Sequence, residues 1–197
     1  MNQSLCELHA ASFVLSSMLI LYDFGDLTGP QLVQTTDATL VGDGWNDRVS
    51  SIQVNGGCQW ILYEHAWTFG DGISSVIGPG PRTYLNGTFG IPDNSLSSIR
   101  CLPASGTQAI MLFVHHKYFG GMLVVNSSYA NLARANFDNT VSSFIVTGGT
   151  WQLYSDFNYQ GRSITHGVGV YPAVSFLGPI SNDDLSSVKL VGKGNQK

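Results

Sequence analysis

Four short stretches of the chain concentrate oxygen donors in one repeating order. They are Asn46-Asp47-Arg48-Val49-Ser50-Ser51, Asp93-Asn94-Ser95-Leu96-Ser97-Ser98, Asp138-Asn139-Thr140-Val141-Ser142-Ser143 and Asn182-Asp183-Asp184-Leu185-Ser186-Ser187. Each reads [ND]-[ND]-x-hydrophobe-Ser-Ser. The copies begin at positions 46, 93, 138 and 182, so they stand 47, 45 and 44 residues apart. Such near-constant spacing marks a structural repeat. Each copy offers a carboxylate or amide oxygen, a backbone carbonyl and a hydroxyl within five residues, the donor set of a hard cation. No thiolate or imidazole recurs with it, which argues against zinc and copper. The rival reading is that Asx and Ser residues cap turns without any metal.

A second element precedes each copy and must help to position it. It reads aromatic, four residues, bulky residue, one residue, Gly. The instances are Tyr22/Leu27/Gly29, Tyr63/Thr68/Gly70, Phe113/Tyr118/Gly120 and Tyr154/Tyr159/Gly161. A glycine at a fixed place in a hairpin predicts φ > 0, over which the aromatic can fold. The leading aromatics are separated by 41, 50 and 41 residues. That rhythm predicts two copies of a pair, with the boundary in the Pro/Gly/Ser stretch Cys101–Thr107. Short runs rich in β-branched and aromatic residues predict strands at Met18–Tyr22, Ser51–Val54, Gln59–Tyr63, Ala109–Phe113, Phe144–Val146, Trp151–Tyr154 and Ser187–Val191. No stretch holds a helical period, apart from a possible turn at Asn131–Ala135. The fold class read from this is all-β.

The chain has 197 residues, 43% hydrophobic, enough to bury two cores of ordinary domain size. Only 11% are charged, with 9 Lys+Arg against 13 Asp+Glu and a net charge of −4. A polybasic nucleic-acid binder is excluded, and a coiled coil is disfavoured. The three cysteines, Cys6, Cys58 and Cys101, form no disulfide framework and no zinc motif. They are expected reduced in a cytoplasmic setting, with a Cys58–Cys101 bridge and secretion both left open. The apolar stretch Ala10–Leu21 lacks a preceding Lys or Arg and is too short to span a bilayer. It is read as a tail running into the first strand, with no membrane partner. Asn-x-[Ser/Thr] triplets at Asn2, Asn86 and Asn126 matter only if the chain is secreted.

The stretches Gly57–Glu64 and Gly149–Arg162, taken with the hexapeptides, resemble the Greek-key motifs of the βγ-crystallin family. The resemblance runs over about residues 18 to 192. It implies a tail at 1–17 and two domains, each a Greek-key β-sandwich of two motifs. Domain one would span 18–103, with keys at 18–56 and 57–103. Domain two would span 108–192, with keys at 108–148 and 149–192. The hexapeptide is similar to that family's calcium motif. Lens members often carry a non-hydroxyl residue at its fifth position, whereas here stand Ser50, Ser97, Ser142 and Ser186. The chain therefore looks more like the calcium-binding microbial and invertebrate members.

The resemblance further implies sites shared between the two keys of a domain. One would use the Glu64 carbonyl with Asp47, the Arg48 carbonyl and Ser50. Its mate would use the Asp23 carbonyl with Asn94, the Ser95 carbonyl and Ser97. In domain two, Ser155 would join Asn139, Thr140 and Ser142, and Val114 would join Asp183, Asp184 and Ser186. The sixth-position serines, Ser51, Ser98, Ser143 and Ser187, are expected to hydrogen-bond the turn instead. Binding is expected to be weaker at Asn94 and Asn139 than at Asp47 and Asp183, because fewer charges face the ion.

Other candidates are discounted. His115-His116, read on a strand, would point to opposite faces. Cys58 and Cys101 lack a His/Asp frame for nucleophilic work. Trp45, Trp60, Trp67 and Trp151 are expected in the core. No phosphate-binding Gly loop, nucleophile elbow or H-E-x-x-H is present. The leading expectation is a non-enzymatic calcium-binding protein, monomeric or weakly self-associating. Its rivals are a structural crystallin with vestigial sites, a four-bladed propeller and an enzyme.

Overall fold

The computed structural model describes residues 17–68, 72–82, 85, 90–176 and 178–192. Residues 1–16, Gly70 and Asn86 lie outside them. The chain divides into two compact units, Met1–Trp67 with Gly72–Ser105 and Thr68–Asp71 with Gly106–Lys197.

Among the described residues the first unit holds eight strands: β1 (Met18–Tyr22), β2 (Gln31–Gln34), β3 (Ala38–Thr39), β4 (Ser51–Asn55), β5 (Gln59–Tyr63), β6 (Ser74–Ile77), β7 (Gly80–Arg82) and β8 (Ser98–Leu102). They form two antiparallel sheets, ordered β2-β1-β4-β7 and β3-β8-β5-β6. The third strand of each key therefore leaves its own key. β3 pairs with β8 through Ala38–Ile99 and Thr39–Ser98, and β7 pairs with β4 through Ile52–Arg82 and Val54–Gly80. Two Greek keys joined by reciprocal strand exchange make one sandwich.

The second unit holds β9 (Ala109–Phe113), β10 (Met122–Val125), β11 (Ser143–Gly148), β12 (Thr150–Asp156), β13 (Gln160–His166), β14 (Gly169–Tyr171) and β15 (Ser187–Gly192). Its sheets are β10-β9-β11-β14 and β13-β12-β15. Here β14 is the exchanged strand, and its counterpart shrinks to one antiparallel bridge between Tyr129 and Val188. The exchange excludes a propeller, whose blades each build from their own contiguous strands.

Alternation along the strands supplies the cores. Leu19 and Leu21 of β1 are fully buried while Met18 and Ile20 are half-buried, the period of two expected of a strand with one core face. In the first unit Leu19, Leu21, Ile52 and Val54 meet Trp60, Leu62 and Ile99. In the second, Ile110, Leu112 and Phe144 meet Trp151, Leu153 and Val188. The hydrophobe of each hexapeptide joins them: Val49, Leu96, Val141 and Leu185 are buried. Burying each such side chain stabilises its loop by about 1.5–3 kcal/mol. Trp60 and Trp151 are buried as expected. Trp45 and Trp67 are only half-buried, and each ring carries a guanidinium. Arg48 lies 5.1 Å above Trp45 and Arg100 4.7 Å above Trp67. The turn at Asn131 is a 3-10 turn, Leu132–Ala135, whose Ala133 N–H donates to Asn131 Oδ1.

The sixth-position serines tie down the hairpins. Ser98 donates to the His65 carbonyl at 2.7 Å, Ser143 to that of His115 at 2.6 Å and Ser187 to that of Asp156 at 2.6 Å; Ser51 donates to the Phe24 carbonyl. Three of them also accept an N–H, from Leu27, Tyr118 and Tyr159. Those three residues adopt positive φ, at 63°, 68° and 63°, so the serine holds a backbone that side chains disfavour. All four serines are fully buried.

Register also corrects one glycine. Asp23, Glu64 and Val114 donate their N–H groups to the carbonyls of Pro30, Ile73 and Gly121, so Gly72 occupies the place of Gly29 and Gly120. The second key's hairpin is two residues longer than the others, and Gly70 is not the equivalent position. A Cβ on Gly72 would lie 2.9 Å from the His65 ring, and on Gly29 2.7 Å from Phe24. In that hairpin Trp67, not Thr68, meets the leading aromatic, at 6.4 Å from Tyr63.

The cysteines depart from the reduced expectation. Cys101 is disulfide-bonded. Cys58 is a buried thiol, so a Cys58–Cys101 bridge does not form. Burial raises the Cys58 thiol pKa. Among the described residues no helix is long and apolar enough to cross a membrane.

Two stability predictions follow from this packing. Ser143→Ala removes the bonds to the His115 carbonyl and the Tyr118 N–H, and should cost about 1–3 kcal/mol per buried group left unmatched. The urea midpoint of the second unit should fall with its m-value unchanged. His166 packs 4.5 Å from Tyr171 and 5.4 Å from Phe144. Its Nε2 is buried without a hydrogen-bond partner among the described residues, and burial lowers its pKa. The fold therefore favours the neutral ring. That contribution is full above the ordinary value of about 6.5 and is lost as pH falls from there towards the folded-state value. His166→Phe should flatten the loss of urea midpoint over that interval.

Candidate functional site

The fifth-position serine of each hexapeptide is anchored by its own key. Ser50, Ser97, Ser142 and Ser186 donate their N–H groups to the carbonyls of Tyr22, Tyr63, Phe113 and Tyr154, at 2.9–3.0 Å. Each serine thus stands beside the residue after its own leading aromatic: Asp23, Glu64, Val114 or Ser155. The second-position residues come from the other key. Asp47 and Asn94 donate N–H groups to the carbonyls of Leu96 and Val49, and Asn139 and Asp183 to those of Leu185 and Val141. All four are left-handed, with φ of 54°, 53°, 53° and 55°. Asn and Asp tolerate that region better than other side chains, so the position selects Asx for backbone reasons as well.

The hydroxyls then meet the Asx oxygens across the keys. Ser50 Oγ donates to Asn94 Oδ1 at 3.1 Å. Ser97 Oγ donates to Asp47 Oδ1 at 3.4 Å. Ser142 Oγ donates to Asp183 Oδ1 at 3.1 Å. This differs from the grouping that the sequence implied, which kept each serine with the Asx of its own hexapeptide. The structure instead joins Glu64, Asp47 and Ser97; Asp23, Asn94 and Ser50; and Val114, Asp183 and Ser142. By the same backbone register Ser155 stands with Asn139 and Ser186. The physical reason is the strand exchange, which lays the two hexapeptides side by side so that the hydroxyl of one faces the Asx of the other. The x-position residues Arg48, Ser95, Thr140 and Asp184 follow their Asx into the same groups.

Charge is unevenly shared. Asp23 and Arg48 form an ion pair at 2.9 Å, and the Arg48 guanidinium holds the Asp23 carboxyl below its ordinary pKa. A cation thus borders the Asp23–Asn94–Ser50 group. In the second unit Asp184 pairs with Arg162, whose guanidinium also donates to the Pro179 carbonyl. Neither arginine's side-chain role was read from the sequence, although an Arg within one hexapeptide and an Asp after an aromatic were visible signals.

His115 and His116 are not on a strand. They lie in the hairpin turn after β9. Both line one open cleft of about 410 Å³ with Val114, Asn139, Thr140, Ser142, Asn182 and Asp183. Among the described residues no three His, Cys, Asp or Glu side chains are placed to hold a metal. The candidate centres are instead mixed sets of amide, hydroxyl, carboxylate and carbonyl oxygens. Several buried oxygens of the hexapeptides have no hydrogen-bond partner among the described residues: Asn46 Oδ1, Asp138 Oδ1, Thr140 Oγ1 and Asn182 Oδ1. Spare hard-donor capacity at these loops fits an oxygen-seeking cation.

Comparison with known proteins fits this geometry. The family model described as Beta/Gamma crystallin matches residues 109–191. A second, described as peptidase inhibitor family I36, matches residues 20–75. Mouse gamma-crystallin D is 31% identical over 124 residues, which cover 63% of this chain and 69% of the relative. A beta/gamma-crystallin from Ciona intestinalis is 36% identical over 80 residues, 41% of this chain and 94% of the relative. The solved structure of geodin, a beta-gamma crystallin from Geodia cydonium, superposes with a TM-score of 0.70 at 21% identity, covering 89% of this chain and 99% of geodin. Geodin shares the fold across both units, and the identities to the mouse and Ciona proteins carry the kinship: the chain belongs to the βγ-crystallin family.

Proposed function

We propose that the chain is a non-enzymatic calcium-binding βγ-crystallin, whose sites join the two keys of each unit. The observation that carries this reading is the cross-key meeting of a serine hydroxyl and an Asx oxygen beside a hairpin carbonyl. Calcium takes six to eight oxygens in flexible geometry, about 2.3–2.6 Å away. Each group would supply an Asx oxygen, a hydroxyl and two backbone carbonyls, with water completing the shell. A bound ion supplies a positive charge that ties two loops of different keys together.

The chain's own residues set the strength. Asp47 and Asp183 bring carboxylates, whereas Asn94 and Asn139 bring amides. The Arg48 guanidinium beside Asp23 adds an opposing charge at the Asn94 group. Membership of the βγ-crystallin family supports a structural, non-enzymatic role. A site filled at a hundred times its Kd stabilises the folded state by about 2.7 kcal/mol.

A second reading has one observation behind it, the peptidase-inhibitor match over residues 20–75. Inhibition of any peptidase in a mixed serine- and metallopeptidase panel by stoichiometric chain, independent of calcium, would favour it; full peptidase activity throughout the panel removes it.

Calorimetry on chelated and calcium-loaded protein tests the first reading. Heat of binding with a higher Tm is expected, and the groups containing Asp47 and Asp183 should bind more tightly than those containing Asn94 and Asn139. Ser97→Ala and Asp47→Ala should abolish the same binding event, and Ser50→Ala a different one. No heat and no shift would reduce the hexapeptides to turn-formers and the protein to a structural crystallin.

A further inference from the structure

We propose that Asn126 is an acceptor for an N-linked glycan when the chain passes through an oxidising secretory compartment. The triplet is Asn126-Ser127-Ser128, followed by Tyr129, with no proline to block it. It forms the turn between β10 and the Tyr129 bridge, and all three residues are exposed. The Asn126 backbone carbonyl accepts from the Gln108 amide at 3.1 Å. Its side-chain amide makes no hydrogen bond among the described residues. Ser128 Oγ accepts the Leu190 N–H at 3.1 Å, so its hydroxyl proton stays available. The turn can therefore carry a bulky, solvated group without losing a contact of the fold.

Two further observations point the same way. Cys101 is disulfide-bonded, a state that forms and persists in the oxidising compartments where such glycans are added. Only 11% of the chain's residues are charged, and a glycan at an exposed turn adds a solvated group to such a protein. The step is a glycosyl transfer from a lipid-pyrophosphate-linked oligosaccharide. Asn126 Nδ2 attacks the anomeric carbon and a C–N bond forms. The C–O bond to the pyrophosphate breaks, the lipid pyrophosphate leaves, and the amide loses one proton.

The test is to direct the full chain into the secretory route of a eukaryotic cell with a cleavable leader, beside the same chain made in the cytosol. Peptide mapping before and after enzymatic deglycosylation reads the site. The expected result is a glycan on the residue-126 peptide, conversion of Asn126 to Asp on its removal, and a Cys101 disulfide in the secreted chain alone. Asn126→Gln should abolish that glycan and leave the Tm unchanged. A secreted, disulfide-bonded chain with unmodified Asn126, or with glycan only at Asn2 or Asn86, would overturn the proposal. So would Cys101 recovered as a thiol from the secretory route.

Discussion

A buried serine hydroxyl bridging the two ends of a folded hairpin is the interaction on which the rest of this structure depends. Ser51, Ser98, Ser143 and Ser187 are fully buried, and each spends its proton on a carbonyl two residues beyond a leading aromatic. A buried hydroxyl left unmatched is costly, and one matched twice is a strong local constraint. It makes the hairpin fold back over its own key. Only then does the preceding serine reach the aromatic carbonyl through its N–H. Only then do Asp23, Glu64, Val114 and Ser155 border a hexapeptide at all.

The second constraint is the exchange of third strands. It converts two keys into one core and brings two hexapeptides alongside each other. The left-handed Asx residues, the buried hydrophobe and the paired serines are then one device. The hydrophobe fixes the depth of the loop, the Asx turns it, the fifth serine reaches across it and the sixth locks the hairpin above it. Because these roles are distributed over both keys, any cation held there would report on the integrity of the whole unit.

Much of this was legible in the sequence. The hexapeptides stood out because their residues are chosen by backbone and burial at once, and such positions tolerate few types. Strands β1, β4, β5, β9, β11, β12 and β15 were visible as apolar runs. The central, fully buried β8 was not, because Ser98, Arg100 and Cys101 interrupt its apolar pattern. Gln31–Gln34 offers only Leu32 and Val33 between two glutamines, and Gly80–Arg82 has no hydrophobic signature, since its pairing with β4 comes from far along the chain. The same distance hid the cross-key partnership of Ser50 with Asn94, which a local reading assigned to one hexapeptide. A fixed spacing points to Gly70, but the second hairpin is two residues longer, an insertion that the Glu64–Ile73 hydrogen bond reveals. The Cys101 disulfide was invisible because pairing follows geometry, not count.

Strand exchange also sets a timetable for synthesis. Ala38 pairs with Ile99, 61 residues downstream. At roughly 5–20 residues per second on the ribosome, the first key waits several seconds with an open sheet edge and an unfilled core. Its own hairpin can form at once, but its sandwich cannot close until β8 has emerged. The fold therefore makes the pair of keys, not the single key, the smallest piece that a cell can safely release, duplicate or splice.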